Sequence, residues 1–375
     1  MKKIKSFIVA TMTFALVAPV FTACSSDDDK TYENIVSEYT VNDEMVAKQK
    51  AQSKKDVAVL LVAFGSTWNN AFQAFDKTKA EYEKAFPEAD VYVCFSSDIC
   101  INRASVGENV DDEGNLVKRD YYEPRYLLHA IGAAKYSKIY VQSLQVIPGE
   151  EFSAVVASVK KFMNNGYVAN AHLDDEYLAQ LAEDEAIFLG MPLLNDPEVD
   201  VPEVARQLNA LYSSETQDGA VAFMGHSNPD KYDTFKANVR YTQLEETLQA
   251  INPNYFVGTV DMKDNFKQDV MGRMQDKGIS SGKVYLHALM SIAGDHAHND
   301  MAGEGAEYWD PDEEESEDNS WFEYFNHKGY TATVPVVGNH PQGLLELSGI
   351  LNVWIKHTKE AEFFEDAYHS MYPEE

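Results

Sequence analysis

The stretch Ala220-Val221-Ala222-Phe223-Met224-Gly225-His226-Ser227 is a short apolar run that breaks on a glycine and then turns polar. An earlier stretch, Leu60-Leu61-Val62-Ala63-Phe64-Gly65-Ser66, has the same form. Apolar runs of roughly four to eight residues read as buried strands, and longer amphipathic stretches between them make βαβ units of a parallel sheet. The first half supplies such runs at Val57 to Phe64, Val91 to Phe95, Lys138 to Ile147 and Ala186 to Leu189. Helical stretches such as Asn69 to Ala85 and Glu151 to Met163 separate them. The second half repeats the order with Ala220 to Met224, Tyr255 to Val260, Lys283 to Ile292 and Thr331 to Val337. Pro148-Gly149-Glu150-Glu151 also matches Ala293-Gly294-Asp295-His296, and glycine at a strand exit suits a tight turn into a helix. The expected fold is α/β: two similar lobes with parallel sheets and a ligand cleft between them. The final stretch from Pro341 to His357 is expected to be a helix that crosses back between the lobes.

In an open parallel sheet the carboxyl ends of the strands face one crevice, so residues distant in the chain converge there. Three exits in the second half carry groups that bind divalent metals: His226, Asp261, and His296 within Gly294-Asp295-His296-Ala297-His298-Asn299-Asp300. Two imidazoles and a carboxylate suit Co²⁺, Ni²⁺, Fe²⁺ or Zn²⁺ without any cysteine. The first lobe holds Ser66 and Glu151 at the matching positions, so catalytic polarity is expected on one wall and ligand holding on the other. Each residue also has a plainer reading. His226 could bond nearby backbone at a helix start, His296 could sit in a solvated loop, and Asp261 could cap a helix. Asp295 and Asp300 share the capping reading, with Asp295 also able to orient a ligating imidazole. His298, two residues beyond His296, is expected to point away from it, toward solvent or a supporting role.

The first 23 residues read as an export signal: Lys2, Lys3 and Lys5, an apolar run from Phe7 to Phe21, then Thr22-Ala23-Cys24. Phe-Thr-Ala-Cys resembles a lipobox, which makes Cys24 the expected lipidation site; cleavage near Ala23 without a lipid is the rival reading. Ser25-Ser26-Asp27-Asp28-Asp29 resembles the acidic tag of surface lipoproteins. The expected location is therefore outside the cytoplasm, facing the periplasm or on the cell surface, with a membrane contact through the anchor. The organisation expected is a signal at 1–23, a tether at 24–53, a first lobe at 54–200, a second lobe with the metal site at 201–340, and a returning C-terminal segment at 341–375. Loss of three lysines and no acids with the signal moves the formal charge from −30 to −33. Such a balance disfavours nucleic acid, because phosphate binding needs a basic footprint. Glu304 to Asp318 places nine carboxylates in fifteen residues, the composition of a solvated insertion. Cys94 and Cys100 give no disulfide framework. Gly65-Ser66-Thr67 and Gly225-His226-Ser227 lack the spacing and lysine of phosphate loops, so no nucleotide is expected.

On these residues the chain resembles the anaerobic sirohydrochlorin cobaltochelatases, the CbiK type of class II chelatase. The resemblance is carried by Leu60 to Ser66, Val141-Gln142-Ser143-Leu144 through Gly149-Glu150-Glu151-Phe152, Leu189 to Leu194, Met224-Gly225-His226, Val257-Gly258-Thr259-Val260, and Ala293 to Ala297 with Asn299-Asp300-Met301. It covers nearly all of residues 56–355. It implies two Rossmann-like lobes, a tetrapyrrole cleft, and ATP-independent insertion of Co²⁺, with Fe²⁺ or Ni²⁺ as other metal substrates. The family's metal-binding histidines fall on His226 and His296. Its third ligand, a glutamate, falls on Asp261, one methylene shorter, and Gln145 stands where relatives commonly carry histidine. Ser66, Thr67 and Gln145 are the candidate substrate contacts, and homo-oligomerisation is left open. Two rival readings accompany this one: an exported haem- or corrinoid-handling protein of the same fold, and a two-lobed solute-binding lipoprotein.

Overall fold

Each apolar run of the sequence becomes a strand, and the strand order of the first half recurs in the second. The computed structural model describes residues 32–107, 115–233, 235–305, 309 and 319–373. Lipidation of Cys24, the export signal and most of the acidic block fall outside the described residues. The first sheet contains β1 (Val57–Ala63), β2 (Ala89–Phe95), β3 (Lys138–Ser143) and β4 (Ile187–Gly190). The second contains β5 (Gly219–Gly225), β6 (Tyr255–Thr259), β7 (Gly282–Leu289) and β8 (Tyr330–Thr333). Their orders are β2-β1-β3-β4 and β6-β5-β7-β8, all parallel. Helices cover both faces of such sheets, so the central strands are apolar on both sides. β1 is buried from Ala58 to Ala63, and β5 from Ala220 to Gly225.

Register places the exits level. Gly225 pairs with Thr259 on one side and with Leu289 on the other, so the segments leading to His226, Asp261 and His296 leave one edge of the sheet. Gly65 occupies the equivalent exit of β1 with φ +120°, a conformation that a side chain strongly disfavours, and an added Cβ would meet Cys100 and Phe95 at 2.8 Å.

The C-terminal stretch ties the lobes together. Helix Ser348–Lys359 packs on β3, β4 and helices Asn69–Ala85 and Asp200–Tyr212. Its Trp354 is fully buried in an apolar cluster that includes Val59 and Phe72 of the first lobe and Val221, Phe223 and Leu289 of the second. Truncating a side chain of that size in such a place costs about 3–5 kcal/mol. His357 on the same helix bonds Asp200 at 3.0 Å and the Met191 carbonyl at 3.2 Å. The chain then adds β9 (Glu362–Phe363) antiparallel to β4, so the first sheet has a fifth strand.

One expectation fails. Residues 32–53, read as part of a tether, form helix Tyr32–Ser53, packed against helix Pro124–Ala133 and β2. Tyr39 and Val46 enter the first-lobe core, and Asn42 is buried between them. The helix was hidden because Val41 and Met45 point to solvent, which scrambles the apolar stripe that marks an amphipathic helix.

Candidate active site

A cleft with a cavity volume of about 180 Å³ lies between the two sets of strand exits. Ser66, Thr67, Gln145 and Glu151 line it from the first lobe, and His226 and His296 from the second. The two histidines, 70 positions apart in the chain, meet edge to face with ring centroids 4.6 Å apart. Their orientation follows from their partners. Nδ1 of His226 is 2.8 Å from the Ser227 carbonyl, which can only accept, so Nδ1 carries the proton and Nε2 the lone pair. Ser227 presents that carbonyl from φ +69°, a conformation costing a non-glycine residue about 1–3 kcal/mol. His296 is set in the same way: its Nδ1 bonds Asp300, leaving Nε2 as the nitrogen available to a ligand.

Asp261 lies 3.5 Å from His226 Nδ1, on the protonated side of that ring. Among the described residues no group of three or more His, Cys, Asp or Glu stands together as a metal-binding set. The structure thus brings the two imidazoles together, with Asp261 as their nearby countercharge. Ser66 and Thr67 are buried at the cleft wall, and Ser66 Oγ accepts from the Trp68 amide at 3.2 Å. Gln145 reaches the cleft wall, but its amide oxygen is taken by Ser143 and its Nε2 is shut away without a partner. Contact between that amide and a ligand therefore requires the side chain to turn.

Electrostatics separates the walls. Burial would pull the His296 pKa down, but the hydrogen bond and charge of Asp300, with Asp261 and Asp295 behind it, outweigh burial and raise it. Burial pushes the Glu151 carboxyl up, against the opposing pull of His226 and His296. A carboxyl with raised proton affinity therefore faces two imidazoles across the cleft. Glu151 was noted in the sequence only as the counterpart of His296. Its place at the start of helix Glu150–Met163 after a strand-exit glycine was the available signal.

The polar run after β7 differs in detail from its expected roles. Asp300, not Asp295, orients His296. Residues His296–Ala302 form a π-helix, a wider winding that the pattern of the run does not announce. Asp295 instead accepts from the Trp68 indole N–H. His298 does not face solvent: it stacks on Trp68 with centroids 3.6 Å apart and planes 10° from parallel. Burial lowers its pKa, and a nearby His340 adds to that, while the Gly294 carbonyl and Asp295 oppose it. Trp68 and Asn70, which bonds the Ala293 carbonyl at 2.9 Å, carry no motif and were missed.

Comparison with known proteins identifies the family. The family model described as cobalt chelatase (CbiK) matches residues 57–362. Sirohydrochlorin cobaltochelatase CbiKC of Nitratidesulfovibrio vulgaris is 26% identical over 307 residues, covering 81% of this chain and 89% of that protein. Sirohydrochlorin cobaltochelatase of Salmonella typhimurium is 25% identical over 253 residues, covering 67% of this chain and 82% of its own. Among solved structures, SirB from Bacillus subtilis with Fe³⁺ aligns with TM-score 0.43 and 14% identity over 83% of this chain and 98% of its own. The match to the family model spans well over half of the sequence, and the chain belongs to the cobalt chelatase (CbiK) family.

Proposed function

We propose that the protein inserts a divalent metal, Co²⁺ before Fe²⁺ or Ni²⁺, into sirohydrochlorin without a nucleotide. The observation that carries this reading is the meeting of His226 and His296 with each Nδ1 bonded to a protein oxygen, so that in the neutral rings both Nε2 atoms carry the lone pair. Two such nitrogens hold a borderline divalent ion, and Asp261 offsets its charge. Insertion exchanges one metal ion for two pyrrole N–H protons. Glu151, on the opposite wall with its proton affinity raised, is the group suited to take one of them, and a histidine released by the ion can take the other. Ser66 and Thr67 flank the ring, and Gln145 contacts it once its amide has turned.

Mixing purified protein with Co²⁺ and sirohydrochlorin, without nucleotide, tests the reading through the absorbance change of the ring. Metal insertion above the spontaneous rate, abolished in His226→Ala and in His296→Ala, is expected. An insertion rate equal to that of buffer would overturn the proposal.

The proposal extends to location. Residues 1–24 support an exported protein held at a membrane through a lipid on Cys24, facing the periplasm or the cell surface. Cys24→Ala is expected to release the protein from the membrane fraction, and unchanged partitioning would remove the anchor from the account.

A further inference from the structure

The second-lobe turn that carries His296 packs Ala297 and Met301 into the core of its own lobe, and its leading end is gripped from the first. Trp68 follows the exit of β1 and stands at the residue before helix Asn69–Ala85. From there its indole reaches two residues that bracket His296. The ring N–H donates to Asp295, one position before His296, and the ring face stacks on His298, two positions after it. Asn70, on the same helix start, bonds the Ala293 carbonyl at 2.9 Å. Gly294 packs so close to Ser66 that an added Cβ would stand 3.3 Å from its hydroxyl. Four successive contacts from residues 66–70 therefore grip residues 293–298 from across the cleft.

The grip has a physical purpose in the winding of the gripped segment. Residues His296–Ala302 form a π-helix, a rare winding that occurs mostly as single turns and frequently at functional sites. A turn of that kind sets a side chain reliably only when its surroundings hold it. His296 also has to aim Nε2 at an ion shared with His226, and small errors in ligand placement weaken a metal site strongly.

We infer that Trp68 is a positioning residue for metal binding: a clasp from the first lobe that, through Asp295 and His298, fixes where the His296 imidazole stands relative to His226. The inference rests on the reading of His296 as a metal-holding residue, and adds that the metal site of the second lobe is completed by a residue of the first that touches no metal. Ordinary packing would predict only a loss of stability on its removal. The clasp predicts a specific loss of metal affinity.

The test uses the full chain and Co²⁺ alone as the probe, titrated against a competing chromophoric chelator, with the visible ligand-field spectrum recorded. Trp68→Ala removes the stack and the N–H donor together, and about a 10-fold loss of Co²⁺ affinity with an altered spectrum is expected. Trp68→Phe keeps a stacking ring without the donor, and should recover part of that loss. In steady-state insertion, KM for Co²⁺ should rise in Trp68→Ala while KM for the tetrapyrrole holds. Unchanged Co²⁺ affinity and spectrum in Trp68→Ala would overturn the clasp. So would equal losses of Co²⁺ affinity, tetrapyrrole affinity and thermal stability, which would make Trp68 part of the scaffold. Wild-type Co²⁺ binding that His296→Ala abolishes, with no insertion into any ring, would defeat the proposed reaction and leave the clasp standing. A wild-type protein that binds no Co²⁺ would end both.

Discussion

The two lobes share a strand order and differ in what stands at its exits. After the exit glycine of β1 comes Ser66, and after that of β5 comes His226. Glu151 follows β3 where His296 follows β7. One lobe has therefore placed imidazoles where the other keeps a hydroxyl and a carboxyl. The backbone supplies four equivalent stations around a cleft, and the side chains divide the work. In the proposed reaction the second wall holds the metal and the first takes up a pyrrole proton at Glu151, a division that would make the two roles separately removable.

Removing a station from the metal wall should have the largest effect. Partners that merely orient a metal ligand are worth about 10–100-fold in affinity or activity, so loss of His226 or His296 should cost at least about 100-fold. Rapid equilibrium dialysis against Co²⁺ at neutral pH measures it. A loss confined to one histidine would break the picture of a shared ion.

The opposite wall gives the next effect. Glu151→Gln keeps the shape of the side chain and removes its ability to take a proton. General-base contributions are typically about 10²–10⁴-fold, and a fall in kcat near the lower end is expected, with Co²⁺ affinity retained. A Glu151→Gln variant that lost metal affinity and kept kcat would move Glu151 to the metal wall.

How much of this contrast was readable beforehand depends on the range of the physics. Strands announce themselves locally, because a parallel strand covered on both faces is a continuous apolar run and its exit needs a glycine such as Gly65. The histidines were readable for the same reason: they follow those exits. Helix Tyr32–Ser53 was not, because its buried residues Tyr39, Asn42 and Val46 are interleaved with exposed Val41 and Met45. Strand β9 is two residues long, and its existence depends on β4 being open to it. The Trp68 stack joins residues 230 positions apart, and nothing in either local sequence marks it. Asp300 was placed in the wrong role because its bond to His296 depends on the winding that places them together.

Asp300 provides a third and smaller test, in which pH separates charge from geometry. The His296 pKa is raised chiefly by its bond to Asp300, against the pull of burial. Protons therefore compete with metal at His296 up to a higher pH than at an ordinary imidazole, and Co²⁺ binding strengthens as pH rises through that raised value. Asp300→Asn removes the charge, so the acid limb of Co²⁺ binding should move to lower pH. At high pH, where both proteins have a neutral imidazole, the variant should bind about 10-fold more weakly, because its ring is less firmly oriented. Titrations of Co²⁺ affinity from pH 5 to 8 would show the two changes as opposite in sign. An unmoved acid limb would mean that Asp300 does not control the proton on His296.

The smallest effect expected concerns Asp261, where the resemblance to the family implies a glutamate. Asp261 sits 3.5 Å from Nδ1 of His226, on the side of the ring away from its ligating nitrogen, so in this geometry it balances charge without completing the metal shell. A glutamate there is one methylene longer and could carry its carboxylate past the ring edge toward an ion held by the two Nε2 atoms. Asp261→Glu should therefore tighten Co²⁺ binding by a few fold, about 1 kcal/mol, as a carboxylate already near the site exchanges a water for a direct bond. The gain should be smaller in His226→Ala, since the longer arm helps only where an ion is already held. If Asp261→Glu weakened binding instead, the short side chain would be the one fitted to this cleft. The metal wall would then be tuned by the countercharge beside His226, with Asp261 ruled out as an incomplete third ligand.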